Sequence, residues 1–514
     1  MKTIKTLFRT RKSDVALCLA LLLIARLSQE NGHGWGDDFA LYINQARGLT
    51  DGTLWNVVRD NRYALDNSAW NYFSPTAYPW GLPLLLAPIV AVWGINFSLL
   101  KLVPTLGYIA ATMATLNIAR HRFGPLTATA TTAVVALNPW FISATGAVLS
   151  DLVFLGFALT AVVFLDHSVE KRDVFTPGRN ALIITAVLIA LSFHVRRDAL
   201  GLIPAIAATQ LMMVRSGDRP SRRDIARPWY WILGLTIGIH LVLPAPILAT
   251  SAPGGGLSAL RHHIIWYREP FAELVGLKEI GDRPIRALGS NLLGDIIFWL
   301  IIVGLVVALA VAAVEFLRRE ISTRIPIATA FAGISMLVLL APYHYQRYIY
   351  TSTILGLILA VDGLRTLLKV LKWPRLGLIA AGCIIAIPAA QHTVTTKQSL
   401  GYHISYSYTL WGPESPVALE LFEAVVDNTD ERDVIVYNQA RTMNLYTRRR
   451  AIQGNNLEML MSRGDWFAQD RIEDYIQTPM TIEEAQALGL RAVWSNDRFI
   501  LWKIPEPNVE EIAP

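Results

Sequence analysis

Long apolar runs separated by short charged clusters fill the chain up to residue 391. Four of these runs, Phe154–Leu165, Ala181–Ser192, Ile296–Val314 and Ile354–Val361, contain no charged residue. A transmembrane helix needs about 20 predominantly apolar residues. The pattern therefore predicts an α-helical polytopic membrane protein.

We predict about 11 transmembrane helices. They lie near residues 14–29, 97–119, 125–143, 149–166, 180–194, 199–214, 229–249, 290–316, 325–342, 347–364 and 376–391. A further segment, Trp80–Gly94, is apolar but short, and Pro79 and Pro83 mark its start. We expect this segment to be a dipping helix within the first outward loop, one that does not cross the bilayer.

Charge fixes the expected orientation. Hydrophobic residues make up 53% of the chain and charged residues 17%, against about 25% charged in soluble proteins. The basic residues cluster at the ends of apolar runs, and such clusters favour the cytoplasmic side. If Trp80–Gly94 does not span, every cluster joins the basic N-terminus there. This predicts a multi-pass protein of the inner (plasma) membrane with a cytoplasmic N-terminus. The positive-inside rule also explains the net charge of +6, so we expect no nucleic acid partner.

The pattern changes after residue 391. Ser415–Asn428 has helical spacing, Asp433–Tyr437 and Arg498–Trp502 have the pattern of strands, and Ile482–Leu488 is typical of a helix. We therefore predict two domains. Residues 1–391 form the transmembrane domain, and residues 392–514 form a small C-terminal α/β extracytoplasmic domain.

Three acids are candidates for chemistry. Asp37 and Asp38 stand just beyond the first span, at the start of an amphipathic helix. A carboxylate there could act as a general base, although acids also commonly cap helix N-termini. Asp151 lies at the outward end of the span 149–166, inside an otherwise apolar stretch, where an ionisable residue indicates function. Capping by Ser150 or Asp151 is the alternative.

Arginines recur at turns that the topology places outside. Arg196 and Arg197 oppose the positive-inside bias, and a guanidinium matches phosphate geometry. Pairing with Asp198 is the alternative explanation. Arg347 lies at a later outward turn, in the aromatic segment that holds Tyr345.

A third basic and aromatic cluster surrounds His262 and His263. Adjacent histidines point apart in regular structure. We therefore predict no zinc site there.

Three motifs together carry a resemblance to a known family. They are Gly36-Asp37-Asp38 followed by Tyr42 and Ala46–Leu49, the segment Tyr78–Pro88, and Leu137-Asn138-Pro139 followed by Leu149-Ser150-Asp151. Their order and spacing resemble the GT-C superfamily of membrane glycosyltransferases, in the aminoarabinose-transferase and protein-mannosyltransferase-like branch. Position 80 is Trp where relatives usually have Pro. Position 40 is Ala where some relatives carry a basic residue.

The resemblance implies residue roles. Asp37 falls on the family's catalytic base, with Asp38 as the alternative base. Asp151 falls on the second acid, which helps to position the acceptor or the base. Arg196 or Arg197 falls on the basic residue that contacts the lipid phosphate.

Four further residues complete the predicted site. We expect Arg347 to join the phosphate-binding group. Tyr78, Tyr345 and His262 are candidate substrate-binding residues.

The predicted function is transfer of a sugar from a polyprenyl-phosphate-linked donor to an envelope acceptor (glycolipid, glycan or protein) on the outer face of the membrane. We expect no required cofactor, although Mg²⁺ or Mn²⁺ could bind through Asp37, Asp38 and Asp151. One alternative is a transporter or flippase of lipid-linked glycans, and another is a non-catalytic envelope assembly protein. Transporters often contain inverted repeats, and the sequence has no second copy of the Trp80–Gly94 segment.

Overall fold

The computed structural model describes residues 12–69, 75–176, 181–243, 245, 257–277, 292–341, 344–405, 412–454, 456–472 and 480–505. These residues are mostly helical, and a five-stranded sheet lies near the C-terminus. The predicted spans 180–194, 229–249, 290–316 and 325–342 lie partly outside the described residues.

Helices account for almost all of the structure up to residue 405. They are α1 (Lys12–Ser28), α2 (Asp38–Asp51), α3 (Leu54–Asn67), α4 (Gly81–Trp93), α5 (Phe97–Leu100), α6 (Leu102–Arg122), α7 (Pro125–Ala136), α8 (Pro139–Ala144), α9 (Asp151–Glu170), α10 (Ala181–Val195), α11 (Ile203–Arg215), α12 (Arg222–Val242), α13 (Leu257–Trp266), α14 (Arg268–Leu274), α15 (Leu292–Leu317), α16 (Arg324–Leu340), α17 (Tyr350–Val370) and α18 (Pro374–Ser405). Two short 3-10 helices, Arg197–Leu202 and Gln346–Ile349, precede α11 and α17.

Each predicted span overlaps helical structure, but 125–143 is divided into α7 and α8, which are separated at Leu137 and Asn138. Within the described residues, four helical stretches are long and apolar enough to cross a membrane, namely Phe97–Arg122, Asp151–Glu170, Gly294–Leu317 and Pro374–Lys397. The other apolar helices are shorter, so the number of about 11 spans stays a prediction. The prediction of a mostly helical chain with several apolar helices and a small C-terminal sheet is confirmed.

The Trp80–Gly94 segment forms α4, a helix of 13 residues. At about 1.5 Å per residue it is roughly 20 Å long, which is less than the hydrocarbon thickness of about 30 Å. Its first residue lies against the end of α10, because a Cβ at Gly81 would be 2.6 Å from the carbonyl oxygen of His194. A glycine there lets α4 and α10 meet beside the Arg196 turn.

Close backbone approach holds several of the long helices together. A Cβ at Gly156 of α9 would lie 2.7 Å from the carbonyl oxygen of Gly107 in α6. Small residues at such crossings let helices in a membrane gain dispersion energy without a side chain between them. The packing orients α9, whose first residue is Asp151.

The tail forms a mixed sheet covered by short helices. Its elements are α19 (Pro416–Asn428), β1 (Val434–Val436), α20 (Ala440–Thr447), β2 (Arg450–Ile452), α21 (Leu457–Met461), β3 (Trp466–Asp470), α22 (Ile482–Ala487), β4 (Arg491–Ser495) and β5 (Phe499–Lys503). The strand order is β2-β1-β3-β5-β4. Strand β1 is parallel to β2 and β3, whereas β5 is antiparallel to β3 and β4.

The two strands and two helices predicted for the tail are present as β1, β5, α19 and α22. Helix α18 runs through residues 391 and 392 without a break. The domain boundary placed there stays a prediction.

Replacing Gly156 with Ala is expected to lower thermal stability in detergent micelles. The added Cβ clashes with backbone, which does not move as a flexible side chain would, and overpacking of this kind costs about 1–3 kcal/mol. Gly238→Ala in α12 is the control, because a Cβ at Gly238 would have no atom within 4 Å. Equal melting temperatures for the two variants would contradict the packing assigned to α6 and α9.

Candidate active site

Asp37 immediately precedes α2, but it does not cap that helix. Its Oδ1 instead accepts hydrogen bonds from the backbone N–H groups of Arg441 (3.1 Å) and Thr442 (3.3 Å). Both donors belong to the first turn of α20 in the tail. Within the described part of the chain, Oδ2 of Asp37 accepts no hydrogen bond. The carboxylate is thus fixed through one oxygen and free at the other.

Burial raises the pKa of the Asp37 carboxyl to about 7, and the neighbouring Asp38 also raises it. Arg441 and the two backbone donors act in the opposite direction. A carboxyl with a pKa near neutrality is suited to proton transfer at physiological pH.

Asp38 is the first residue of α2, and both of its carboxylate oxygens accept hydrogen bonds. The Tyr78 hydroxyl donates to its Oδ1, and Arg347 Nη2 donates to its Oδ2 over 2.7 Å. Burial acts to raise its pKa, but Arg347, Tyr78 and Arg441 outweigh burial and hold the pKa below its usual value. Asp38 therefore remains ionised and has no free oxygen for a substrate proton.

Asp151 begins α9 and is 6% exposed. Arg196 Nη1 donates to its Oδ1 over 2.8 Å, and the same guanidinium donates through Nε to Asp198 over 2.8 Å. Ser150 makes no capping bond and accepts from the Tyr42 hydroxyl instead. The capping explanation therefore fails here as it does at Asp37, and Arg196 pairs with both Asp151 and Asp198.

Arg347 connects the two acidic segments. Its Nη2 binds Asp38, and its Nε lies 4.0 Å from Oδ2 of Asp151. That Nε is buried and has no hydrogen-bond partner among the residues that the structure describes. The predicted residues Asp38, Asp151, Arg196 and Arg347 thus form one charged cluster on one side of the fold.

Tyr78 lies at the edge of this cluster. Its backbone N–H and carbonyl both bond to the side chain of Gln45, and its ring stacks on that of Tyr42 with centroids 4.4 Å apart. Its hydroxyl donates to Asp38 and accepts from Arg441. The segment that leads into α4 is therefore bonded directly to Asp38.

The contacts described for the remaining predicted residues are with groups other than the three acids. Arg197 donates to the carbonyl of Phe193 and lies over that ring. Tyr345 is 53% exposed and packs against Arg347. His262 belongs to a separate aromatic group with His344, at a centroid distance of 5.0 Å. Roles for these three residues stay predictions.

Sequence reasoning missed Arg441. Its guanidinium lies 4.0 Å from Asp38 and donates to Tyr78, and its backbone N–H binds Asp37. The only signal in the sequence is a basic residue in the first turn of a helix that follows a buried strand.

The arrangement is a poor fit to a metal held by Asp37, Asp38 and Asp151. A protein cation, Arg347, lies between Asp38 and Asp151, and both oxygens of Asp38 already accept hydrogen bonds. In the described ranges, side chains at ligand spacing occur instead at His121, His167 and Glu170. No catalytic step is assigned to a metal, and the expectation that no cofactor is required stays a prediction.

Known proteins resemble this chain in structure rather than in sequence. No family model matches the sequence. No curated protein matches it either. Solved structures of membrane enzymes, in contrast, superimpose over most of the chain.

ArnT from Cupriavidus metallidurans bound to undecaprenyl phosphate has a TM-score of 0.55 at 12% identity, covering 96% of this chain and 98% of its own. The apo oligosaccharyltransferase of Archaeoglobus fulgidus has a TM-score of 0.53 at 11% identity, covering 90% and 70%. The chain has a GT-C-like fold.

A third structure has the same fold. It is the Archaeoglobus fulgidus oligosaccharyltransferase AglB in complex with an inhibitory peptide and a dolichol-phosphate, with a TM-score of 0.51 at 11% identity, covering 89% of this chain and 69% of its own. At these identities the likeness establishes the fold. The GT-C resemblance that the three motifs carry is thereby confirmed.

Asp151→Asn is expected to lower the free energy of unfolding by about 3 kcal/mol, because it leaves the partly buried Arg196 with one carboxylate partner fewer. The double variant Asp151→Asn/Arg196→Gln should lose less than the sum of the two single variants, since the residues interact directly. Thermal unfolding in detergent measures all three. Asp218→Asn, an exposed site, is the control. Additive losses in the double variant would show that the ion pair is absent.

Proposed function

We propose that this protein is a glycosyltransferase that moves a sugar from a polyprenyl-phosphate-linked donor to an acceptor hydroxyl at the outer face of the membrane. The observation that carries the proposal is the cluster of Asp37, Asp38, Asp151, Arg196 and Arg347 in a GT-C-like fold. Asp37, an acid with an unbonded oxygen among the described residues, is followed in the chain by Asp38, and Asp38 is ion-paired with the partly buried Arg347. This provides a base and a phosphate-binding group in one site.

The fold neighbours support a lipid-linked donor. Two of them were solved with polyprenyl phosphates, ArnT with undecaprenyl phosphate and AglB with a dolichol-phosphate. In this chain, Nε of Arg347 is a buried donor that lacks a partner among the described residues. A phosphate oxygen would satisfy it, and guanidinium–phosphate hydrogen bonds are among the stronger ones in proteins.

The reaction proceeds as a displacement at the anomeric carbon. Asp37 Oδ2 takes the proton of the acceptor hydroxyl as the acceptor oxygen forms a bond to that carbon. The bond between the anomeric carbon and the phosphate oxygen breaks, and its electron pair leaves with the polyprenyl phosphate. Arg347 and Arg196 stabilise the negative charge that gathers on the leaving phosphate. The proton on Asp37 is then lost to water.

Asp38 and Asp151 act through position in this scheme. Both are ion-paired, so they hold Arg347 and Arg196 in place. We place the site on the outer face of the inner membrane, with the N-terminus cytoplasmic and the tail extracytoplasmic, as the basic clusters indicate.

The assay incubates the purified protein with radiolabelled undecaprenyl-phosphate hexoses and pentoses and follows release of the sugar from the lipid. Turnover supports the transferase. Movement of the intact lipid across a vesicle, without release of the sugar, would support the flippase. If neither release of the sugar nor movement of the lipid is observed, the result supports a non-catalytic assembly role.

Asp37→Asn is expected to lower turnover by about 10²–10⁴-fold, because the amide cannot accept the acceptor proton. In the wild type, turnover should rise with pH through about 7 and then level off, since the base acts only when it is deprotonated. Asp66→Asn on the exposed face of α3 should retain wild-type turnover. Size-exclusion chromatography checks that both variants insert and fold. Full turnover in Asp37→Asn would exclude this residue as the base.

Arg347→Gln is expected to weaken binding of undecaprenyl phosphate about tenfold, the equivalent of one lost charge-assisted hydrogen bond. Arg347→Lys should recover part of the affinity because it keeps the charge. Arg318→Gln removes an exposed arginine elsewhere and serves as the control. Titration of each variant with the lipid in detergent gives the dissociation constants. An unchanged constant in Arg347→Gln would exclude this residue from the phosphate site.

A further inference from the structure

The C-terminal domain is bonded directly to the first outward loop. The contacts involve α2, α3 and the segment after α3 on one side, and α20, β2 and Gln453 on the other. They include Asn44 Nδ2 to Asn444 Oδ1 (3.1 Å), Arg47 Nη1 to the Leu445 carbonyl (3.0 Å), Arg450 Nε to Asp60 Oδ1 (3.0 Å) and Ala69 N–H to the Gln453 carbonyl (2.9 Å). The space left between α20 and the loop helices is about 10 Å³, which is room for about one water. The domain and the loop thus pack as one unit.

Arg441 is the central residue of this contact and is 4% exposed. Each of its three side-chain nitrogens donates to a different residue of the loop. The acceptors are Asn61 Oδ1 for Nε (3.0 Å), the Tyr78 hydroxyl for Nη1 (3.1 Å) and the Pro75 carbonyl for Nη2 (3.0 Å). One guanidinium therefore joins α3 to the segment that leads into the dipping helix.

The sheet topology explains why α20 reaches the acids. Helix α20 connects the parallel strands β1 and β2, so its N-terminus lies at the carboxyl end of β1. Free N–H groups and the helix dipole make that end favourable for an anion. The anion it meets is Asp37, and Thr442 adds a bond from its hydroxyl to the Gly36 carbonyl. Two tail residues thus fix the backbone and the carboxylate of the proposed base.

We propose that the C-terminal domain completes the active centre, with Arg441 and the first turn of α20 acting as positioning groups for Asp37 and Asp38. The inference deepens the proposed glycosyltransferase function and rests on it for the catalytic role of Asp37. The amides of α20 hold Oδ1 of Asp37 and leave Oδ2 for the acceptor proton. The Arg441 guanidinium holds Tyr78, which in turn donates to Asp38.

Among the described residues, two charged groups act on Asp37. Asp38 lies beside it on α2, and Arg441 approaches from α20. Arg347 and Tyr78 reach it only through Asp38. Removing Arg441 takes away the one cation among these groups that lowers the pKa of Asp37, so that pKa should rise in Arg441→Gln. If Arg441 merely kept the domain docked, its loss would instead expose Asp37 to water, and the pKa would fall.

Labelling with dicyclohexylcarbodiimide separates these cases because the reagent reacts with protonated carboxyl groups. The full-length protein in detergent is labelled across a pH series, and adduct at Asp37 is quantified by peptide mass spectrometry, with Asp37→Asn as the blank. We expect the labelling midpoint of Arg441→Gln to lie at higher pH than that of the wild type. Arg441→Lys keeps the charge and should restore the midpoint. Arg432→Gln removes an exposed arginine of the same domain and should leave it unchanged.

A midpoint in Arg441→Gln that is unchanged or lower than in the wild type would overturn the inference. If Arg441→Gln does not give a monodisperse protein, Arg441→Lys alone decides. If Arg441→Lys has the same labelling midpoint as the wild type and a turnover lower by about tenfold or more, the result supports positioning by the guanidinium fork. A midpoint of Arg441→Lys below that of the wild type overturns the inference. Labelling needs no sugar donor. Absence of turnover in the wild type would therefore refute the proposed function, while the midpoints still test whether α20 and Arg441 control Asp37.

Discussion

Arg347 is a partly buried arginine, and carboxylates from two distant segments neutralise its charge. It donates to Asp38 over 2.7 Å, and its Nε lies 4.0 Å from Asp151. Removing either partner would leave charge in surroundings that solvate it poorly, which costs several kcal/mol. The start of α2, the start of α9 and the turn before α17 must therefore come to the same place. This requirement fixes how these three segments are arranged.

Close packing of helices at glycines helps to bring these charged segments together. Glycines at Gly156 and Gly81 let α9 and α4 approach their neighbours closely, which places Asp151 beside the Arg196 turn and Tyr78 beside Asp38. If α4 does not cross the bilayer, as its length of 13 residues predicts, the predicted topology has Asp37 and Asp151 on the same face of the membrane.

The sequence allowed prediction of the residues that local rules mark. Asp151 stands out because an acid inside an apolar run is costly, and Asp37 because it follows a span and belongs to a motif. Arg441 could not be found in this way. Arg441 reaches the first loop only because the β1-α20-β2 connection directs the N-terminus of α20 toward that loop. No spacing in the chain indicates which helix N-terminus lies near which acid. The choice between Arg196 and Arg197 was open for the same reason, since only packing shows that Arg196 bonds to Asp151 while Arg197 bonds to the carbonyl of Phe193.

Charge balance explains why one acid differs from the others. Three arginines of the site face three ion-paired carboxylates: Arg196, Arg347 and Arg441 face Asp38, Asp151 and Asp198. Asp37 differs, because its hydrogen-bond partners among the described residues are backbone donors. In the proposed reaction the phosphate gains a negative charge as it leaves, and Asp37 loses one when it takes the acceptor proton. The net charge of the site then stays constant during transfer. A low-dielectric site favours such a reaction, because charge moves within it without net charge being created. The same balance favours as the base the acid that lacks an ion pair, since protonating Asp38 or Asp151 would leave an arginine with one charged carboxylate partner fewer.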